Sequence, residues 1–313
     1  HVLKMSEHAA VSASVDAARQ IGKHSRAGML NAVLRRSLRE GLTVSTDFAI
    51  NSNHPDWLLK QLQHDWPEDW QLIVQANNEQ APLWIRVNTV KNIRAEYSAL
   101  LNQEALMYSA PTFADQAICL EQSIAPMRLP GWQEGLLTVQ DVSAQLAVTA
   151  LTIKPGMHVL DMCAAPGGKS AQLAQTPVGS LVLLDIYENR LQKISDLFVR
   201  LQLPTENVHF ICCDASMPLP AEQPQLYDAI LLDAPCSATG IIRRQPDVKW
   251  HRQPKDIDQL NTLQWRLLKN AWRHLKLGGQ LLYSTCSVLK AENSLLLDSF
   301  LKQNTDASAL PLD

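Results

Sequence analysis

Six cysteines, at 119, 163, 212, 213, 236 and 286, and a series of aspartates closing apolar runs are the residues here whose types and spacing suit chemistry. No two cysteines form a CxxC pair with zinc-site spacing, so no metal site is expected. No secretory signal opens the chain, which leaves reduced thiols and a cytoplasmic location as the expectation. A thiol that stays reduced is available as a nucleophile once it ionises. The segment Asp161-Met162-Cys163-Ala164-Ala165-Pro166-Gly167-Gly168-Lys169-Ser170 has the small residues that let a backbone approach a ligand closely. Its Gly-Lys-Ser ending is not a phosphate-binding P-loop, because Cys163 stands where the first glycine would be. The dinucleotide pattern G-x-G-x-x-G is missing as well. Asp185, 24 residues beyond Asp161, suits a ribose, and Asp214 an adenine edge. An adenosine-type ligand lacking a pyrophosphate fits this set best.

These residues need elements to hold them at strand ends. Apolar runs at 157–162, 180–186, 208–213, 227–233 and 280–286 read as strands, with helices between them at 187–202 and 257–276. Such alternation predicts an α/β fold with a doubly wound, Rossmann-like parallel sheet, its ligands outside the carboxyl ends of the strands. Asp161, Asp185, Asp214, Asp233 and Cys286 fall at those ends. Upstream, helices at 56–64, 68–78 and 92–104 and a strand at 83–88 read as a small α+β module over 45–130, leaving 131–313 for the catalytic domain. The first forty residues read as two helices, one with Val11, Val15 and Ala18 on its apolar face and one with Met29, Leu30, Val33, Leu34 and Leu38, ended by Gly41. Two helices bury too little to stand alone, so 1–44 is expected to be the remnant of a larger upstream domain.

The 313 residues are 46% hydrophobic and 19% charged, ordinary for a globular chain, and no apolar stretch approaches the roughly 20 residues of a membrane helix. Net charge is −3, but residues 239–276 hold nine Lys/Arg against three Asp, and residues 1–45 hold seven against three acids. Local basic surfaces on an acidic chain suit a phosphate-bearing partner, although solvated helix faces would show the same counts.

Together with the loop at 161–169, the segments Asp233-Ala234-Pro235-Cys236-Ser237-Ala238-Thr239-Gly240 and Ser284-Thr285-Cys286-Ser287 resemble the RNA (cytosine-5)-methyltransferase family. The nearest resemblance is to its bacterial ribosomal RNA branch of the RsmB/Fmu type. Residues 241–250, Ile-Ile-Arg-Arg-Gln-Pro-Asp-Val-Lys-Trp, are similar to the segment after that family's Pro-Cys motif. Residues 1–44 resemble the end of a NusB-like RNA-binding domain, and the chain stops short of the family's glycine-containing final strand.

The resemblance implies a class I methyltransferase that uses S-adenosyl-L-methionine, with ribosomal RNA as partner, no membrane and no metal, acting as a monomer. Cys163, Ala164, Ala165, Pro166, Gly167, Gly168 and Lys169 would wrap the methionine and sugar of the cofactor, Asp185 its ribose and Asp214 its adenine. Asp233 would lie between cofactor and base, Cys286 would be the nucleophile, and Cys236 would help release product. DNA enzymes use the Pro-Cys cysteine as nucleophile; the Thr-Cys motif marks the RNA enzymes and favours Cys286. Cys119, Cys212 and Cys213 are expected to be small buried apolar residues. Arg243, Arg244, Lys249 and Arg252 are expected to meet phosphates, and Trp250 either to stack on a base or, as a lone tryptophan, to be buried. Rival readings are a non-catalytic ribosome-assembly factor and a cytosine-5 DNA methyltransferase. A nucleotide-dependent oxidoreductase is weakened by the absent dinucleotide fingerprint.

Overall fold

A computed structural model of the chain describes residues 6–41, 52–122, 124–221 and 226–311. Two compact units emerge, one of His1–Ala81 with Ile241–His251 and one of Pro82–Gly240 with Arg252–Asp313. In the first unit, α1 (Glu7–Gln20) and α2 (His24–Glu40) pack through Val11, Val15 and Ala27. Ser6 caps α1 by accepting the Ala9 N–H, and Gly41, at φ 73°, stops α2 where its sequence predicts. The predicted apolar face of α2 is only partly covered: Met29 and Val33 are exposed. Helices α3 (Asp56–Asp65) and α4 (Trp70–Asn77) complete the described part of this segment. The sequence reading places both in the middle module.

The second unit opens on a small antiparallel sheet ordered β2-β3-β1-β4, from β1 (Leu83–Val87), β2 (Tyr108–Ser109), β3 (Ala117–Leu120) and β4 (Leu137–Val139), with α5 (Arg94–Gln103) against it. Ile85, Val87, Tyr97, Leu101, Ile118 and Leu137 form its core. Three of these strands are missing from the sequence reading, and β4 lies beyond the expected boundary at 130. Segments of two to four residues are too short to show an alternation.

The larger sheet is formed by β5 (His158–Met162), β6 (Ser180–Asp185), β7 (Val208–Cys212), β8 (Tyr227–Asp233) and β9 (Leu275–Ser284), after helix α6 (Val142–Thr149). Its order is β7-β6-β5-β8-β9, parallel throughout, so the winding reverses between β5 and β8. The doubly wound Rossmann-like sheet read from the sequence is the one found. Every residue of β6 is buried, as an interior parallel strand requires. Leu181 and Leu183 face Leu191, Ile194 and Phe198 of α8 (Glu188–Leu201). Val182 and Leu184 face the opposite core, with Leu267, Leu268 and Ala271 of α10 (Pro254–Arg273) and Phe300 of α11 (Ser294–Gln303). Each such leucine stabilises the fold by about 1.5–3 kcal/mol. Strand β9 starts five residues before the predicted 280 and ends at Ser284, leaving Cys286 in the loop beyond it.

Candidate active site

The loop after β5 turns sharply into α7 (Gly168–Leu173). Cys163 takes a left-handed conformation at φ 61°, the Ala165–Pro166 peptide is cis, and Gly167 comes next at φ 97°. A Cβ on Gly167 would lie 2.8 Å from Ile194 Cγ2, so α8 comes up against this turn and only glycine fits. Asp185, at the end of β6, is buried beneath the loop: its Oδ2 accepts the Ala165 N–H at 3.2 Å and its Oδ1 the Tyr187 N–H at 3.2 Å. Arg190 clamps the same corner, 3.4 Å from Asp185 Oδ2 and 2.8 Å from the Ala165 carbonyl oxygen. Burial pushes the Cys163 thiol up to about 12, which keeps it neutral. Asp214, beyond the edge strand β7, accepts the Ser216 N–H at 2.8 Å, and this bond holds its carboxyl below the usual range.

Asp161 at the end of β5 is fully buried. Its Oδ2 accepts the Ser170 hydroxyl at 2.6 Å, while its Oδ1 has no partner. Its burial raises the carboxyl to about 7. Lys169, the second residue of α7, reaches across to β8 and pairs with Asp233 at 2.7 Å; the other Asp233 oxygen accepts the Ser284 hydroxyl at 3.0 Å.

That last bond comes from register, because Asp233 and Ser284 are partners in the parallel pair β8–β9. Cys236 stands three residues past one partner and Cys286 two past the other, so both loops leave the sheet side by side. Their Sγ atoms lie 3.3 Å apart, and neither cysteine is in a disulfide. With the Cys236 S–H donating, the Cys286 thiol is held below its ordinary value and that of Cys236 is pushed up. Gly240 makes this approach possible: its N–H donates to the Cys286 carbonyl at 2.8 Å, and a Cβ there would come within 2.7 Å of that oxygen.

Beneath the two cysteines lies a cluster the sequence reading missed. Glu292, with no exposed surface, accepts the Ser237 N–H at 2.8 Å, the Ser237 and Ser287 hydroxyls at 2.5 Å each, and the Gln264 amide at 3.0 Å. Nothing local marks Glu292 as different from a solvated acid near a helix start. The only hint was the density of hydroxyl residues flanking both cysteines.

Asp161, Asp185, Lys169, Asp233, Cys236 and Cys286 thus meet at the carboxyl edge of one sheet, around its switch point. The residues expected to meet RNA are placed less uniformly. Arg252 donates to the carbonyl oxygens of Ser237 at 2.9 Å and Cys236 at 3.4 Å, bracing the Pro-Cys loop. In the first unit Arg243 pairs with Glu79 at 3.2 Å, Arg244 is exposed, and Lys249 is buried and donates to Asn78 Oδ1 at 2.9 Å. Of the two alternatives for Trp250, burial is set aside, and one expectation, for Cys212, is corrected. Trp250 is 60% exposed, because α9 (Val248–His251) is one turn long and turns Val248 and Lys249 inward instead. Cys212 is exposed rather than buried, since it ends the edge strand β7.

The sheet order and the loops at its switch point define a Rossmann-like methyltransferase. A methyltransferase homologue from Pyrococcus horikoshii has the same fold, with a TM-score of 0.74 and 31% identity over 84% of this chain and 83% of that one. NSun6 from Pyrococcus horikoshii, solved with SFG, shares the fold at a TM-score of 0.72 and 20% identity, over 80% of this chain and 88% of that one. Residues 148–313 match the family described as 16S rRNA methyltransferase RsmB/F, and residues 54–126 its RsmF/B-like ferredoxin-like domain. Ribosomal RNA small subunit methyltransferase B of Vibrio cholerae serotype O1 is 44% identical over 99% of this chain and 72% of its own length. Its counterpart in Xanthomonas campestris pv. campestris is 44% identical over 99% of this chain and 70% of its own length. This chain belongs to the RsmB/F family of ribosomal RNA methyltransferases. Among the described residues no helix is long and apolar enough to cross a membrane.

Proposed function

We propose that this chain transfers a methyl group from S-adenosylmethionine to carbon 5 of a cytosine in small-subunit ribosomal RNA, through a bond between Cys286 and carbon 6 of the ring. The 3.3 Å separation of the Cys236 and Cys286 sulfurs, beside the strand end that carries Asp233, is the observation that carries this reading. The residues around the glycine turn fit the cofactor. Asp161, Asp185, Asp214 and Asp233 stand against Lys169, Arg190 and Arg266, so the corner presents carboxyl oxygens that suit the hydroxyl and ammonium donors of the ligand better than a pyrophosphate. Asp161 Oδ1 also lacks a donor. The loop Cys163–Lys169 with Asp185 and Asp214 would hold S-adenosylmethionine, which supplies an electrophilic methyl group on a sulfonium.

Carbon 5 of an aromatic cytosine is a poor nucleophile. A Cys286 thiolate adding to carbon 6 makes carbon 5 enamine-like, and the Cys236 S–H favours that thiolate before attack. Asp233 faces ring nitrogen 3 in this reading, and the Lys169 ammonium 2.7 Å away is the nearest proton to share along that bond. After methyl transfer, loss of the carbon 5 proton to solvent sends its electron pair into the ring and breaks the Cys286–carbon 6 bond, and the departing Cys286 thiolate can accept a hydrogen bond from the Cys236 S–H. Arg243 and Arg244 would meet RNA phosphates, with Lys249 holding the segment that carries them. The target base must leave its stack, at a cost of a few kcal/mol, which favours an unpaired nucleotide.

The two cysteines are separable by substitution. Cys286→Ser is expected to abolish 5-methylcytosine formation and to leave no adduct, whereas Cys236→Ser is expected to accumulate a denaturation-resistant enzyme–RNA complex. Adduct formation by Cys286→Ser in place of Cys236→Ser would exchange the roles. A wild-type chain that makes no 5-methylcytosine in small-subunit RNA would remove the reading.

A further inference from the structure

We infer that Glu292 is a positioning residue for the two thiols: it holds the residue next to each cysteine and so fixes the distance between their sulfurs. The inference rests on the proposed roles of Cys286 and Cys236. Ser237 stands directly after Cys236, and Ser287 directly after Cys286. One carboxylate accepts the hydroxyls of both, and it also takes the Ser237 N–H. Gln264 of α10 steadies it from below, donating as well to the Pro235 carbonyl at 2.9 Å. The Glu292 carbonyl accepts the Tyr283 hydroxyl at 2.9 Å, tying the turn to β9. Around this anchor the hydroxyls of Ser237, Thr239 and Ser287 lie within 3.1 Å of one another.

A carboxylate suits this position because it only accepts. Four donors converge on it, and a glutamine would turn an NH2 group toward at least one of them. All four donors are neutral, so among the described hydrogen bonds none brings a cation to the buried carboxylate. A turn that needed only stapling could use an uncharged acceptor. The charge also adds a small push against a thiolate at Cys236, behind the Cys286 hydrogen bond and the burial that raise that thiol most. The other groups facing the pair are Asp233, which opposes a thiolate at Cys286, and Lys169, which favours it. Tyr283 on β9 and the Arg252 guanidinium on the Pro-Cys carbonyls complete the set.

The test is the pH dependence of Cys286 alkylation by iodoacetamide in the full chain without RNA, read by peptide mass spectrometry. In Glu292→Gln the sulfurs part and the shared hydrogen bond weakens, so the midpoint is expected to move up toward the value of about 8.5 for a free thiol. In the presence of RNA, kcat is expected to fall on the order of 100-fold from the sulfur misplacement. KM for RNA and the affinity for S-adenosylmethionine should stay within about twofold, since neither ligand touches Glu292. Glu292→Asp should restore part of both losses. Should Glu292→Gln not fold, Ser237→Ala removes one arm and is expected to give a smaller shift in the same direction. A wild-type alkylation midpoint in the folded variants would overturn the inference, whatever happens to kcat. Because that midpoint is measured without RNA, it stands apart from the test for 5-methylcytosine.

Discussion

Sealed beneath the glycine turn, the Asp161 carboxyl makes folding depend on pH in the direction opposite to a salt-bridged acid. Burial raises it from 3.8 to about 7, while the unfolded chain titrates near 3.8. Below 3.8 the group is protonated in both states and contributes no penalty. Between 3.8 and about 7 the unfolded chain releases its proton first, so stability falls as pH rises through that window and levels off above it. Asp161→Asn removes the titration yet can still accept the Ser170 hydroxyl. Its urea midpoint is expected to be flatter than wild type between about pH 4 and 7, with a gain at about pH 8 on the order of a few kcal/mol. Parallel slopes for the two proteins would show that Asp161 is ionised in the fold. The sequence exposed Asp161, Asp185, Asp214 and Asp233 as strand-end residues because each closes an apolar run. It did not show that Asp161 is enclosed and Asp233 partly exposed, since that depends on which loop folds over which strand. Glu292 was invisible for the same reason: its four donors come from residues 237, 264 and 287, which no local pattern brings together.

Among the elements, long ones were legible and short ones were not. Helix α8 was expected at 187–202 and spans 188–201, because apolar residues return every three or four positions across its length. Strand β8 was read with its observed bounds, and the parallel pairing of β8 with β9 placed the two cysteines together as expected. Strand β1 was also legible, but its consequence was not. Arg86 and Asn88 lie on the same face at its end, and both reach into the larger sheet's helices. Arg86 Nη1 donates to the Gly168 carbonyl at 2.9 Å, to Gln172 Oε1 at 3.0 Å and to Gln140 Oε1 at 2.6 Å. Asn88 donates to the Leu201 carbonyl at 2.8 Å, where α8 ends. The small sheet thereby fixes the start of the helix that carries Lys169. Arg86→Met keeps the volume and removes a buried guanidinium whose Nε and Nη2 have no partners. Gln140 and Gln172 already touch at 3.4 Å and can pair more fully, but the Gly168 carbonyl is left without its donor. The variant is expected to lose about 1–3 kcal/mol in denaturant unfolding, with an unchanged slope. A larger loss, with a changed slope, would mean that the small sheet itself comes apart.

For the molecule as a whole, net charge and local charge point in different directions, and the proposed RNA binding would depend on the local one. A chain of net charge −3 gains little from long-range attraction to a polyanion, so the proposed RNA contact would fall to segments such as 239–276, with nine cations and three acids. The count was legible in the sequence, but not its engagement. Arg243 is already paired with Glu79, Lys249 is buried against Asn78, and Arg252 is spent on the Pro-Cys loop. An RNA phosphate reaching Arg243 therefore has to displace a carboxylate, which offsets part of what the new contact contributes. Exposed pairs of this kind are worth about 0–1 kcal/mol, so the competition is mild. Glu79→Gln is accordingly expected to tighten RNA binding by a few-fold at low salt. Arg243→Ala combined with Arg244→Ala should lower the slope of log Kd against log salt by about 1.4–1.8, the contribution of two phosphate contacts. Both are read from filter binding of a small-subunit RNA fragment between about 50 and 200 mM salt, a range in which counterion release dominates. A double variant with the wild-type slope would move the phosphate contacts off this segment. A Glu79→Gln chain that binds no better would show that Arg243 holds its carboxylate while RNA is bound.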